Sequence, residues 1–177
     1  MKPTIQNDLS KKFSKGTIVI HWLSFLLILV LVPLGKYMSG LEPEQKIGLI
    51  KIHAGIGLLV FILTIIRSWI FFKSDRPANI KTGSKFNDNL AVWIHNAFYF
   101  LLFGIAISGI ATMIVGGYGD ALMNGNIESI KNADEILPLK GHGIIAFLIM
   151  VLLVLHVAGV IKHYISTKEN LLKRMLK

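Results

Sequence analysis

Four stretches of the sequence contain no charged residue, and apolar residues dominate each of them. They run over residues 16–35, 52–66, 89–119 and 141–161. A helix needs about 20 apolar residues to cross a bilayer, and the second stretch reaches that length only by continuing past Arg67 to Phe72. The pattern predicts an all-α membrane protein, a bundle of four transmembrane helices that forms one domain over residues 1–177. The predicted spans are about 16–36, 52–72, 91–115 and 141–163.

The connections between the spans are too short to hold a soluble domain, so any chemistry must use the helices and the two membrane surfaces. The connection before the fourth span has a turn-prone stretch at residues 116–120. Residues 127–137 follow, and we expect them to form a short surface helix ended by Pro138. The first span is too long and begins too late for a cleaved signal peptide, and cleavage would remove His21.

Composition narrows the class of protein further. Hydrophobic residues make up 53% of the chain and charged residues 16%, which is typical of an integral membrane protein. The absence of cysteine excludes disulfides, iron–sulfur clusters, thiolate ligands and the attachment of c-type haem. The net charge is +9, but the basic residues flank the spans, so a lipid bilayer rather than nucleic acid is the expected partner.

The distribution of basic residues predicts the orientation. Four spans place both termini on one side of the membrane. That side would hold fourteen basic residues: Lys2, Lys11, Lys12, Lys15, Arg67, Lys73, Arg76, Lys81, Lys85, Lys162, Lys168, Lys173, Arg174 and Lys177. The other side would hold five: Lys36, Lys46, Lys51, Lys131 and Lys140. Because basic residues concentrate on the cytoplasmic side, we expect a multi-pass protein of the bacterial inner membrane with both termini in the cytoplasm.

Four histidines lie in spans that otherwise avoid ionisable groups: His21, His53, His142 and His156. An ionisable side chain at membrane depth is costly and indicates function. His142 and His156 are fourteen residues apart, which puts them on nearly one helix face about 21 Å apart. With the predicted orientation, depth pairs His53 with His142 near the outer leaflet and His21 with His156 near the inner leaflet.

Two facing imidazoles at each level favour haem over other metal centres. Zinc and non-haem iron usually take three or four protein ligands, often including a carboxylate, whereas no Asp or Glu falls inside the uncharged stretches. Two histidines suit an iron already held by four porphyrin nitrogens, with both axial positions filled for electron transfer. Glycines beside the histidines would let a macrocycle approach the backbone: Gly55, Gly57, Gly141, Gly143 and Gly159. The sequence therefore predicts two b haems.

Three further residues are candidates for the inner site. Arg67 lies fourteen residues after His53, level with the inner pair, and either binds a haem propionate or extends to the lipid headgroups. His95 begins the third span and competes with His21 as the partner of His156. His163 lies at the cytoplasmic end of the fourth span, and His95 or His163 could donate a hydrogen bond to a quinone carbonyl.

These residues resemble the bacterial cytochrome b561 family of dihaem membrane cytochromes. The landmarks are Ile20-His21-Trp22, Ile52-His53-Ala54 followed by Arg67, the interval from His142 to His156, and the tail Leu171-Leu172-Lys173-Arg174-Met175. The resemblance covers nearly the whole chain. It implies His53 and His142 as ligands of the outer haem, His21 and His156 as ligands of the inner haem, and His95 as a non-ligand.

The resemblance also implies a function, namely electron transfer through two b haems between a periplasmic donor and the quinone pool. As an enzyme the protein would be an oxidoreductase that takes electrons from superoxide and reduces ubiquinone or another quinone near His163. The alternative is a haem-bearing anchor that conducts electrons for a partner dehydrogenase or a periplasmic redox protein. A cofactor-free protein, with its histidines in a proton relay, would be colourless.

Overall fold

The computed structural model describes residues 7–176, and it is helical almost throughout. Four helices are long and apolar enough to cross a membrane: α1 (Lys15–Met38), α2 (Pro43–Lys73), α3 (Lys85–Val115) and α5 (Leu137–Thr167). A short helix, α4 (Tyr118–Asn124), and 3₁₀ turns at Ile127–Ser129, Ala133–Glu135 and Leu171–Arg174 complete the described elements. The prediction of four membrane-spanning helices is confirmed, and the chain is a multi-pass membrane protein.

Helices α1 and α3 begin before the predicted spans, where their first turns are capped in the polar flanks. The Ser14 hydroxyl accepts a hydrogen bond from the Thr17 amide, and the Ser84 hydroxyl accepts one from the Asn87 amide. Such caps satisfy amides that have no partner inside the helix. Helix α2 also continues through Arg67 to Lys73, as its short uncharged stretch required.

The connection before α5 differs from the expectation. The short helix forms at Tyr118–Asn124, and residues 127–137 hold only two 3₁₀ turns before α5 begins. Pro138 lies in the first turn of α5 and does not end a helix, because proline fits the first helical positions, where the missing amide has no role. Gly117 has a φ of 78° and starts α4, and a Cβ there would collide with the Ser129 carbonyl. The prediction of a helix ended by Pro138 was wrong.

The helices pack in the pairs α3 with α5, α1 with α2, and α2 with α3. The apolar cluster buried between the long helices, which we call the central layer, consists of Val60, Leu102 and Ile149, one residue each from α2, α3 and α5. Large apolar side chains elsewhere point outward, for example Phe72 and Phe100, each more than four-fifths exposed. A belt of exposed apolar side chains around long helices is typical of a lipid-facing surface.

Both ends of the described chain meet at one end of the bundle, which we call the terminal face. There the Phe13 amide donates to the Arg174 carbonyl, and the Asn7 side chain donates to Glu169. The connection between α2 and α3 joins them, since the Arg174 guanidinium donates to the Ala78 carbonyl. The opposite end, the loop face, carries α4 and the connection between α1 and α2. Of the basic residues counted for orientation, Lys2 and Lys177 lie outside the described residues.

Candidate functional site

The structure brings the four histidines together in two pairs at different levels. Near the loop face, the ring centroids of His53 on α2 and His142 on α5 are 6.1 Å apart. Nearer the terminal face, those of His21 on α1 and His156 on α5 are 6.4 Å apart. These are the pairs that helix depth predicts. Because α5 carries one member of each pair, its fourteen-residue interval separates the two levels.

The spacing within each pair matches two imidazoles that bind one metal ion from opposite sides. A metal–imidazole bond is about 2.1 Å long, and a ring nitrogen lies about 1.1 Å from its centroid when ring bonds are about 1.3 Å. The centroids should therefore be about 6.4 Å apart, close to both observed values. The described residues hold no group of three or more His, Cys, Asp or Glu side chains that could bind a bare ion. The donor set fits an iron whose other ligands come from a cofactor.

The helices that carry the facing histidines are not in close contact. The pairs α1–α5 and α2–α5, which carry the facing histidines, are not among the closely packed helix pairs of residues 7–176. Four glycines near the histidines face open space, because a Cβ atom at any of them would meet nothing within 4 Å: Gly55, Gly57, Gly141 and Gly143. Loosely packed helix pairs and small residues near the ligand candidates are compatible with a macrocycle held between the helices.

The ring nitrogens are not equivalent. The Nδ1 atoms of His21 and His53 are enclosed by protein and have no hydrogen-bond partner in the part of the chain that the structure describes. The Nδ1 atom of His142 lies 3.1 Å from the Ser108 hydroxyl, which donates to the Ile105 carbonyl at 3.0 Å. Among residues 7–176 no hydrogen bond involves the Nε2 atom of any of these three rings, which leaves Nε2 free to bind a metal.

Two glycines on neighbouring helices support the rings of the loop-face pair. A Cβ on Gly35 of α1 would lie 3.3 Å from Cε1 of His53, and a Cβ on Gly109 of α3 would lie 3.2 Å from Cε1 of His142. Both distances are shorter than an ordinary carbon–carbon contact of about 3.5–4.0 Å. These two glycines are next to the histidines only across helices, so they cannot be found by adjacency along the chain, as Gly55 and Gly141 can.

His95 and Arg67 surround the terminal-face pair. The His95 ring centroid is 5.1 Å from that of His156, and its Nδ1 lies 2.6 Å from the Ala91 carbonyl of its own helix. The Arg67 guanidinium is 5.6 Å from the Tyr99 ring centroid and close enough to His21, His95 and His156 to act on them electrostatically. It forms no ion pair or hydrogen bond with a side chain or loop among residues 7–176. A half-buried, unpaired guanidinium at this depth is suited to binding an anionic group.

His163 belongs to a separate network on the terminal face. Its side chain is 8% exposed, and its Nε2 lies 2.9 Å from a Glu169 carboxylate oxygen. Burial raises the pKa of Glu169, but hydrogen bonds from Asn7 and His163 together outweigh that effect and leave the pKa below its usual value. His163 follows His156 by two helical turns, about 10 Å along the axis.

The tail after α5 contacts Trp22, the residue next to His21, and the sequence does not predict this contact. The Trp22 indole donates to the Met175 carbonyl at 2.9 Å, and its ring lies edge-on to His21 with centroids 5.5 Å apart. Arg174 is only 5% exposed because its guanidinium donates to the Lys11 and Ala78 carbonyls. The tail thereby ties the N-terminal segment and the α2–α3 connection to the helix that carries His21.

Known proteins resemble this chain along almost its whole length. The cytochrome b561 homolog 2 of Escherichia coli (strain K12) is 28% identical over 169 residues, which cover 88% of this chain and 86% of that protein. The probable superoxide oxidase CybB of Yersinia pestis is 26% identical over 172 residues, which cover 94% of this chain and 96% of that protein. The family described as prokaryotic cytochrome b561 matches residues 12–177. The chain therefore belongs to the prokaryotic cytochrome b561 family, which binds b haems and transfers electrons in membranes.

Proposed function

We propose that this protein is a dihaem electron carrier with His53 and His142 as axial ligands of an outer haem and His21 and His156 as axial ligands of an inner haem. The observation that carries the proposal is the pair of ring separations, 6.1 Å and 6.4 Å, at two levels of α5. Haem iron supplies one-electron chemistry. The four histidines would hold the two irons, and the layer between the two levels is formed by the apolar side chains of Val60, Leu102 and Ile149.

The orientation follows from charge. Fourteen of the 19 basic residues lie on the side of the terminal face in the sequence-based assignment. The positive-inside rule then places the terminal face in the cytoplasm and the loop face in the periplasm of the bacterial inner membrane. His53 and His142 would lie on the periplasmic side, and electrons would enter at that level.

Arg67 is the residue that we assign to a propionate of the inner haem. A guanidinium forms paired hydrogen bonds with a carboxylate, and Arg67 has none with a side chain or loop of residues 7–176. Its position among His21, His95 and His156 favours this role over contact with lipid headgroups. His95 is assigned as a non-ligand, because its ring centroid is 5.1 Å from that of His156, closer than the about 6.4 Å expected for two imidazoles that bind one metal ion.

Superoxide is the donor that we favour, as the name of the relative from Yersinia pestis suggests. Two superoxide anions would each lose one electron and leave as dioxygen, and one quinone would take two electrons and two protons to become the quinol. Four lysines near the periplasmic ends of the spans would attract the anion: Lys36, Lys46, Lys51 and Lys140.

The quinone would bind on the cytoplasmic half of the bundle, near the inner haem. His163 at the terminal face and His95 beside His156 are the two candidate imidazoles there. Each already uses one ring nitrogen, His163 with Glu169 and His95 with the Ala91 carbonyl, so each would donate to a quinone carbonyl only in its protonated form. A groove of about 530 Å³ between α2 and α3 opens at the same depth, and Tyr99, which contacts Arg67, forms part of its wall. Ubiquinone and other quinones share the apolar ring and tail that such a groove accepts.

The alternative is an electron-conducting anchor for a partner dehydrogenase or periplasmic redox protein. One feature favours it, namely the folded periplasmic connection with α4, where Ile136 is fully buried. Its acidic residues would form the docking surface: Asp120, Glu128, Asp134 and Glu135. Co-purification of a stoichiometric redox partner would favour this alternative, whereas rapid reduction of the isolated protein by superoxide would exclude the need for one.

The test uses visible spectra of the purified protein in detergent. Two low-spin b haems per chain are expected, and superoxide should reduce them while added quinone reoxidises them. His142→Ala should lose the outer haem and retain the inner one, because His142 has no role at the inner level. His95→Gln is the matched control and should retain both haems. Full occupancy in His142→Ala would refute the ligand assignment.

A further inference from the structure

The feature that the proposed function leaves unexplained is the hydrogen bond between Ser108 and His142. The Ser108 hydroxyl lies on α3, one residue before the glycine that supports the His142 ring, and 3.1 Å from Nδ1 of that ring. The same hydroxyl is 3.0 Å from the Ile105 carbonyl, and Thr112 bonds to the Ser108 carbonyl one turn later. The α3 segment from Ile105 to Thr112 therefore positions the hydroxyl group that contacts the His142 ring.

The direction of this hydrogen bond follows from the proposed ligand role of His142. When Nε2 of a neutral imidazole binds a metal, its proton is on Nδ1, and Nδ1 donates. The Ser108 hydroxyl can accept this hydrogen bond because the Ile105 carbonyl, 3.0 Å away, can accept the hydroxyl proton. This arrangement leaves the lone pair of the ring on Nε2.

We propose that Ser108 is a positioning residue that fixes the Nε2-ligating tautomer of His142 and lowers the reduction potential of the outer haem. A hydrogen bond from the far nitrogen of a ligating histidine orients the ring and raises its basicity. A more basic ligand stabilises oxidised iron more than reduced iron, which lowers the potential. The inference rests on the proposed function, since it requires His142 to be an axial ligand.

Ser108 gives the outer pair a contact that the other histidine ligands lack within the described chain. Nδ1 of His53 and Nδ1 of His21 are enclosed without a partner, and His156 forms no hydrogen bond through its ring among residues 7–176. A lower outer potential makes transfer from the outer to the inner haem more favourable. Ser108 would thus favour electron flow from the periplasmic side toward the quinone.

The test is a redox titration of both haems in Ser108→Ala, Ser108→Thr and the unmodified protein. Ser108→Ala should raise the potential of the outer haem and leave that of the inner haem unchanged, and it should shift the low-spin electron paramagnetic resonance signal of the outer haem. Ser108→Thr retains a hydroxyl and should restore both values. Ser68→Ala is the matched control, because Ser68 also bonds a carbonyl of its own helix but contacts no ligand nitrogen.

The outcomes separate this inference from the proposed function. Unchanged outer potential and signal in Ser108→Ala, with both haems present, would overturn the role of Ser108 and leave the ligand assignment intact. Equal shifts of the outer haem potential in Ser108→Ala and Ser68→Ala would also overturn it, since the loss of any hydroxyl group would then shift the potential. Retention of both haems in His142→Ala would instead refute the ligand assignment on which the inference depends.

Discussion

Gly109→Ala should damage the outer site selectively, because the new methyl group would press on the ligand ring. The added Cβ would lie 3.2 Å from Cε1 and 3.4 Å from Nδ1 of His142. To restore an ordinary contact of about 3.5–4.0 Å, the ring must move by about 0.3–0.8 Å. The ring is held on that side by Ser108, so this movement also stretches a hydrogen bond that is already 3.1 Å long.

The energetic cost of this close contact can be compared with the stability that alanine adds to a helix. Overpacking of this kind costs about 1–3 kcal/mol, which corresponds to roughly 5- to 150-fold weaker binding of the outer haem if the strain falls on the ligand. Replacing glycine by alanine within a helix stabilises it by about 0.5–1 kcal/mol. The helix itself should therefore remain folded, and the loss should appear at the haem.

Gly104→Ala supplies a matched control on the same helix. A Cβ at Gly104 would lie 3.5 Å from Cδ1 of Ile145, an ordinary contact, so this variant should retain both haems. Haem content per chain and the rate at which apomyoglobin removes haem are the quantities to measure. If both variants retained the outer haem equally well, the close contact between Gly109 and the His142 ring would have no role in binding it.

Three further predictions concern the terminal face. Arg174→Ala removes two charged hydrogen bonds, each worth about 1.5–3 kcal/mol, and should make the tail more sensitive to protease than the exposed control Lys173→Ala does. Because the pKa of Glu169 is lowered in the folded protein, its stabilisation of the tail is complete above about pH 4.5 and is lost as the pH falls through the lowered value. Hydrogen exchange of the tail should accelerate in that acidic range, and Glu169→Gln should abolish this acid dependence. An unchanged acid transition in the variant would refute the role of Glu169. Trp22→Phe should shift the spectrum of the inner haem alone, since it loses the bond to Met175 beside His21; a shift of the outer haem instead would contradict this.

The sequence was sufficient for the helices and for the histidine pairs because both depend on one-dimensional spacing. Uncharged length defined the four spans, and their antiparallel order set the depth of each histidine. The interval from His142 to His156 then required two levels on one helix. Neither prediction requires side-chain contacts. The rings of His53 and His142, and those of His21 and His156, lie close together as their depths predict.

The supporting contacts could not be predicted in the same way. The contacts of the rings with Ser108, Gly109 and Gly35 depend on how α3 and α1 are rotated about their axes. This rotation is set by helix packing, and the sequence of a weakly amphipathic membrane helix does not show which face packs. The misplaced surface helix has a local cause, because the left-handed Gly117 precedes α4, which begins nine residues earlier than expected. In the sequence, Arg174 is not distinguishable from the other basic residues of the predicted cytoplasmic tail. In the structure it is buried and donates hydrogen bonds to carbonyl groups of two distant segments.

The central layer has an electrical consequence for the proposed carrier. Ile149 is 2% exposed and lies seven residues from each of the two α5 histidines, and Val60 and Leu102 pack around it. None of these three side chains can carry a proton, so an electron that passes this level travels without a compensating charge. It would cross about 21 Å of a hydrocarbon core about 30 Å thick and do work of about 1.6 kcal/mol for each 100 mV of membrane voltage. Turnover would then charge the membrane, and a large voltage, negative inside, would slow it.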